Sequence, residues 1–379
     1  IEATPSLIKF LNKNWNVEGE LQQTYTMHIL GTGSFGTVVH DPAWSTMLAT
    51  NLAVKQLRVA SIFSAANSGG KPKEVVKKKT EQYTEILGDV MNEYYVGLDL
   101  LSIINGRDAR FGETIFDGNN LYEDSYFTIA HHLVFNKGWM PFLIQTRCGN
   151  ALDHLLYIEN ITFNVRQISQ ILHDVLYGLS IMHQGLQSSL CRSPIVHRDI
   201  KSPNILIRMF KVDATTGKWV ETFVHDDNVI TRAVITDFGM ARSTPVTHDG
   251  GCRVELMSGC GSYAWMAPEI LLGVVYDNKV DIYSLAMVAL ELLTNKIPWE
   301  GEAWSKEVAF KVAAAERPEM HLGTALSARK KRIHAGGTSR LQRDLQLLNF
   351  IKDFVYKGWA QEPSERGTAE RHLAELLKV

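Results

Sequence analysis

Two short stretches, "VHRDIKSPNILI" at 196–207 and "ITDFGMAR" at 235–242, concentrate groups able to hold charge and move protons. They set Asp199, Lys201, Asn204 and Asp237 among apolar residues, which confines two carboxylates, an amide and an ammonium to brief turns. Taken singly, such an aspartate is an ordinary turn former, such an asparagine a cap and such a lysine a solvated cation. Far upstream, "GTGSFGTVV" at 31–39 spaces Gly31, Gly33 and Gly36 so that backbone can approach a phosphate with no Cβ in the way. A dinucleotide-binding turn shares that spacing but needs a helix directly after it, and here the chain stays extended. Lys55 follows in "LAVK", and Glu93 falls on the apolar stripe of a predicted helix. A carboxylate facing a core is costly unless it meets a cation, and Lys55 is the cation on offer.

The elements that must position these groups are legible from periodicity. Residues 24–60 read as strands, with "YTMHIL" entering the glycine turn, "TVVH" leaving it and "NLAVKQL" alternating in hydropathy. "SAANSGGKPKEVVKKK" reads as a surface loop. A helix is predicted over about 81–104, where Ile86, Val90, Gly97 and Leu101 recur at helical spacing with Glu93 beside them. Residues 105–125 read as a second loop, followed by strands in "SYFTIAHHLVF" and "MPFLIQTRC". From "CGNALDHLL" onward the pattern is mainly helical, clearest in "ISQILHDVLYGLSIMH", "KVDIYSLAMVALELLT" and "LNFIKDFVYKGW". The expected organisation is an N-terminal extension (1–23), a small strand-rich lobe with one main helix (24–147) and a larger helical lobe (148–379). That is an α+β chain whose cleft would hold a ligand.

With "YAWMAPE" at 263–269, the glycine turn, "LAVK" and the two aspartate stretches occur in one order, and in that order they resemble the protein kinase family. The resemblance runs from about residue 24 to the end of the chain. It implies the two-lobed kinase fold and transfer of the γ-phosphate of ATP to proteins with Mg2+. Gly31, Thr32, Gly33, Ser34, Phe35 and Gly36 would cover the phosphates, while Val38 and Ala53 would border the nucleotide. Thr146 and Cys148 would belong to the adenine-binding hinge, behind which Gln145 would be the gate. Lys55 would pair with the α- and β-phosphates and be held by Glu93, with Glu85 the alternative. Asn204 and Asp237 would hold Mg2+, a hard cation suited to oxygen donors. Asp199 would accept the substrate hydroxyl's proton and Lys201 would neutralise the γ-phosphate. Lys201, Ser262 and the wording of "KSPN" and "WMAPE" resemble the tyrosine-kinase-like group of serine/threonine kinases. Arg366 would pair with Glu269. Arg198 would bind a phosphate on the activation segment, with Ser258 the expected site of modification. The rival expectation is a pseudokinase serving as a nucleotide-binding scaffold, but Lys55, Asp199, Asn204 and Asp237 are all present.

The bulk numbers agree with a folded chain of this size. The 379 residues are 45% hydrophobic, enough to build two cores, and a formal net charge of −2 gives no reason to expect nucleic acid as a partner. No apolar run is long enough to span a membrane. Cys148, Cys191, Cys252 and Cys260 form no CxxC pair, which argues against a zinc site or disulfide framework and for a reducing, cytoplasmic setting. Three features depart from the family pattern. The Lys55–Glu93 and Asp199–Asp237 intervals are both roughly double the usual length, which surface excursions tolerate. Gly97 stands where a large apolar side chain is usual, and Gln145 makes the gate polar. Two basic stretches, "KPKEVVKKK" (71–79) and "ARKKRIHAGG" (328–337), read as solvated loops, or alternatively as docking sites for an acidic partner or signals for nuclear access.

Overall fold

A computed structural model describes residues 28–32, 36–40, 52–57, 72–106, 126–135, 141–187, 192–243, 262–301, 306–318, 321–336 and 340–379. The chain divides into two compact units. One comprises residues up to 104 with 128–147 and 237–240, and the other comprises 105–127, 148–236 and 241–379.

Among the described residues, the first unit is a five-stranded antiparallel sheet with one long helix. Its strands are β1 (His28–Thr32), β2 (Gly36–His40), β3 (Leu52–Leu57), β4 (Ala130–Phe135) and β5 (Pro141–Thr146). They lie in the order β1-β2-β3-β5-β4. The alternation in "LAVKQL" sets the register: Lys55 sits opposite Val38 on β2 and Leu143 on β5, and Ala53 opposite Gln145. Helix α1 spans Pro72–Gly106. It therefore absorbs Pro72–Lys79, which the sequence suggested as loop. Proline suits a first helical position because its φ is preset and its missing N–H would be unpaired there anyway, and the Lys/Glu run that follows has good helix propensity. Val90, Glu93, Val96, Gly97 and Leu100 form the buried stripe of α1. A Cβ at Gly97 would stand 3.6 Å from both the Ala130 amide nitrogen and Ile129 Cγ2, so the helix lies close on the chain entering β4. The large side chain expected at that position is replaced by proximity of backbone.

The second unit is mainly helical. Helix α2 (Val165–Gln184) begins at Asn164, whose side chain accepts from the Arg166 and Gln167 amides while the Gln167 side chain returns a bond to the Asn164 amide. Helix α3 (Lys279–Thr294) is apolar nearly all round and buried along its length, as its composition requires. Helices α4 (Lys306–Ala313), α5 (Leu322–Ala335), α6 (Leu341–Gly358) and α7 (Ala369–Leu376) also belong to it. Gly358 permits α6 to cross α3, since a Cβ there would lie 2.6 Å from the Ala286 Cβ.

The long interval between Asp199 and Asp237 is a surface excursion built as a ladder. Strand β6 (Ile205–Val212) pairs with β7 (Trp219–Thr222) and β8 (Ile230–Ile235). The β6–β7 turn is closed by Asp213, whose carboxylate accepts from the amides of Thr215 and Thr216 at 3.1 and 2.8 Å.

Where it is described, the second basic stretch is helical rather than a solvated loop. Residues 328–335 lie in α5, and Arg329 is buried, donating to the carbonyls of Phe163, Leu292 and Leu293. The two leucines end α3, where helix carbonyls lack intrahelical partners and a cation is favoured. Burial lowers the Arg329 guanidinium to about 10. Among the described residues, no helix is long and apolar enough to cross a membrane.

Candidate active site

Within the first unit, Lys55 reaches Glu93 Oε1 and Oε2 at 3.0 and 2.8 Å and Asp237 Oδ1 at 2.7 Å. β3 supplies the lysine, α1 the glutamate and the 237–240 turn the aspartate. Both Lys55 and Glu93 are buried. Burial opposes the ammonium charge, but Asp237 and Glu93 more than compensate and hold Lys55 above its ordinary value. Burial pushes the Glu93 carboxyl up, Lys55 only partly offsets this, and Asp237 adds repulsion. One cation thus faces two carboxylates.

Asp237 has a left-handed backbone, φ 67°, which costs a non-glycine residue about 1–3 kcal/mol. The turn is held by Asn92, the neighbour of Glu93, whose Nδ2 donates to the carbonyls of Phe238 and Gly239 at 3.0 and 3.1 Å. Phe238 itself is buried. Sequence reading missed Asn92.

Within the second unit, Lys201 Nζ lies 2.7 Å from Asp199 Oδ2 and 2.9 Å from Ser262 Oγ. Asn204 Nδ2 donates to the Asp199 carbonyl and to Oδ2 at 2.8 and 2.9 Å. No described hydrogen bond engages Asp199 Oδ1 or Asn204 Oδ1. One carboxylate oxygen and one amide oxygen therefore stay available in an otherwise committed cluster.

The stretch leading into that cluster hangs from α3. Asp281 accepts from the amides of His197 and Arg198 at 2.9 and 2.8 Å and bonds His183 Nε2 at 2.9 Å. Burial would raise the Asp281 carboxyl, but its bond to His183, electrostatic attraction to His183 and His197, and the His197 amide hold it below the ordinary value. Sequence reading missed Asp281 as well, although an acid in an apolar helix is itself a signal that donors surround it. Arg198, with φ 69°, is buried and donates to the Tyr276 hydroxyl at 3.1 Å. Arg366 and Glu269 form a buried bidentate pair at 2.6 and 2.8 Å.

The remaining candidates divide as follows. Ala53 and Gln145 are buried in β3 and β5, Val38 is half-buried in β2, and Thr146 ends β5. Cys148 belongs to the other unit, and burial pushes its thiol up to about 12. Gly31 and Thr32 end β1 and Gly36 begins β2, with a register shift between Ile29 and Gly31. Gly33, Ser34 and Phe35 lie outside the described residues, as do Ser258, Cys191, Cys252, Cys260 and the 1–23 extension.

Comparison with known proteins agrees with the resemblance. A family model described as the protein kinase domain matches residues 128–376. Dual specificity protein kinase pyk3 of Dictyostelium discoideum is 28% identical over 228 residues, 60% of this chain and 13% of that protein. Serine/threonine-protein kinase pakH of the same organism is 32% identical over 181 residues, 48% of this chain and 28% of its own length. Human dual specificity testis-specific protein kinase 1 is 31% identical over 159 residues, 42% of this chain and 21% of its own. The chain thus corresponds to well under a third of the length of these relatives.

Proposed function

Since the chain belongs to the protein kinase domain family, we propose that it transfers the γ-phosphoryl group of ATP to serine or threonine hydroxyls of proteins, with Mg2+. The observation that carries this reading is the Asp199–Lys201–Asn204–Ser262 cluster, in which Asp199 Oδ1 is the one carboxylate oxygen left uncommitted. That oxygen orients a substrate hydroxyl and accepts its proton. Lys201, already shared with Ser262, balances charge building on the transferring group. Lys55 binds the α- and β-phosphates, and Glu93 keeps its ammonium in place. The β1–β2 strands bring Gly31 and Gly36 to the phosphates, and the strand residues Val38 and Ala53 border the base, with Thr146 and Cys148 supplying hinge backbone.

The residues present suit Mg2+. Asp237 offers a carboxylate, and Asn204 offers its unengaged amide oxygen. Both are hard oxygen donors. When bound, Mg2+ neutralises phosphate charge. Asp237 is also within reach of Lys55, so nucleotide phosphates and Asp237 compete for one ammonium.

The names of the relatives include both serine/threonine and dual specificity kinases, so residue preference is the finer part of the proposal. Labelled ATP with a library of serine, threonine and tyrosine peptides tests it. Phosphoserine and phosphothreonine are expected, with turnover lowered at least about 10²-fold in Asp199→Ala. Phosphotyrosine as the main product would overturn the residue preference. ATP binding by calorimetry without transfer would establish a nucleotide-binding scaffold instead.

A further inference from the structure

Helix α3 carries a second buried acid, Glu291, ten residues after Asp281. It is fully buried, and among the described residues it forms no ion pair. Three donors converge on it: Tyr157 Oη and Ser202 Oγ on Oε1 at 2.6 Å each, and Trp265 Nε1 on Oε2 at 2.6 Å. Ser202 follows Lys201 in the chain. Trp265 closes a turn on Ser262, its amide donating to the Ser262 carbonyl at 3.1 Å. Since Lys201 Nζ bonds Ser262 Oγ, a ring closes through Glu291, Ser202, Lys201, Ser262 and Trp265. The Trp265 carbonyl is fixed to α3 separately, by Ser284 Oγ at 2.8 Å.

We infer that Glu291 is a positioning residue for the transfer step, its ionised carboxylate holding the Lys201–Asn204 turn and the Ser262–Trp265 turn in one register. The inference rests on the kinase reading above and adds to it a residue that touches no substrate. An ionised carboxylate accepts from all three donors at once. Once protonated it becomes a donor itself, and one hydroxyl must turn to accept from it, while the indole N–H can only donate. Ser202 is the partner whose displacement moves Lys201 and Asn204.

Burial pushes the Glu291 carboxyl up to about 7, against the bonds from Ser202, Tyr157 and Trp265 that favour its charge. The charged and titratable groups around it come from each neighbouring element. Asp153 and Tyr157 belong to the chain preceding α2, Lys201 and Asp199 flank Ser202, and Glu300 beyond α3 acts on Tyr157. Asp153 repels Glu291, in the same direction as burial.

The test compares kcat against pH for wild type, Glu291→Gln and Tyr157→Phe, using labelled ATP with the serine/threonine peptide library. It also follows the Trp265 indole N–H resonance, assigned by Trp265→Phe. The expected wild-type profile falls on acidification with a midpoint near 7, and the indole signal moves with it. Glu291→Gln fixes the network in its uncharged form, so kcat is about 10- to 100-fold lower and that limb disappears. Tyr157→Phe removes a bond that favours the charge, so the limb and the indole midpoint move to higher pH. A Glu291→Gln protein with the wild-type limb overturns the inference, and so does an indole signal that ignores pH. Should Glu291→Gln not fold, the direction of the Tyr157→Phe shift decides alone. Absence of turnover at every pH in wild type, with a titrating indole signal, overturns the kinase reading and the role in transfer together, leaving only the titrating network.

Discussion

Asn92 and Glu93 are consecutive residues that hold different parts of one constellation. Glu93 fixes the Lys55 ammonium, and Asn92 fixes the two carbonyls that follow Asp237. The left-handed Asp237 is thereby kept from relaxing into a cheaper conformation. Asn92→Ala is expected to lower kcat about tenfold and weaken the Mg2+ dependence of ATP binding, while melting close to wild type. Unchanged Mg2+ titration and turnover would show that the carbonyls need no such anchor. The two residues differed in how far the sequence announced them. Glu93 was visible because a carboxylate on an apolar stripe demands a cation, and Lys55 stood in the preceding strand. Asn92 was not, because its partners are main-chain carbonyls 146 and 147 positions away, and every residue owns a carbonyl. Asp281 and Glu291 lay between these cases: their burial followed from an apolar helix, but the identity of their donors did not.

At the level of elements, α1 shows what a pattern of apolar positions can and cannot determine. Its buried stripe was legible, yet its start was not, because a run of lysines reads equally well as a solvated loop or an exposed helical turn. Gly97 gives a signed test of how closely α1 approaches β4. A Cβ there makes only ordinary contacts at 3.6 Å, so Gly97→Ala is expected to stabilise by about 0.5–1 kcal/mol through helix propensity. Gly97→Leu should cost about 1–3 kcal/mol by overpacking against Ile129 and Ala130. Denaturant unfolding of the two variants checks both signs: two stabilising shifts would mean that the approach is looser than described, and two destabilising shifts that it is tighter. Helix α5 teaches a related lesson. Its basic residues suggest exposure by composition alone, but Arg329 is spent on the end of α3, where carbonyls without partners are invisible to any count of charges. An acidic docking partner on this stretch therefore has one basic side chain fewer to recognise.

Across the whole molecule, the candidate groups divide between the two units: Lys55, Glu93 and Asp237 in one, Asp199, Lys201, Asn204 and Ser262 in the other. The family match covers residues 128–376, which include the second group and Asp237, while Lys55 and Glu93 precede it. For Lys55 and Glu93 it is the ion pair itself that argues. The fold class was legible because periodicity changes from strands to helices along the chain. The β6–β8 ladder was harder to see, since its pairing depends on backbone bonds and one aspartate-closed turn. Glu291 has a thermodynamic corollary for the molecule entire. Its carboxyl binds a proton more tightly folded than unfolded, moving from 4.5 to about 7, so its contribution to stability is full below about pH 4.5 and lost as pH rises through about 7. Glu291→Gln cannot titrate, so its melting temperature should match wild type near about pH 5 and exceed it near about pH 8, and a gap independent of pH would contradict this. Alkalinity would then sharpen the tool while loosening its handle: robustness and readiness are set against each other by one acid.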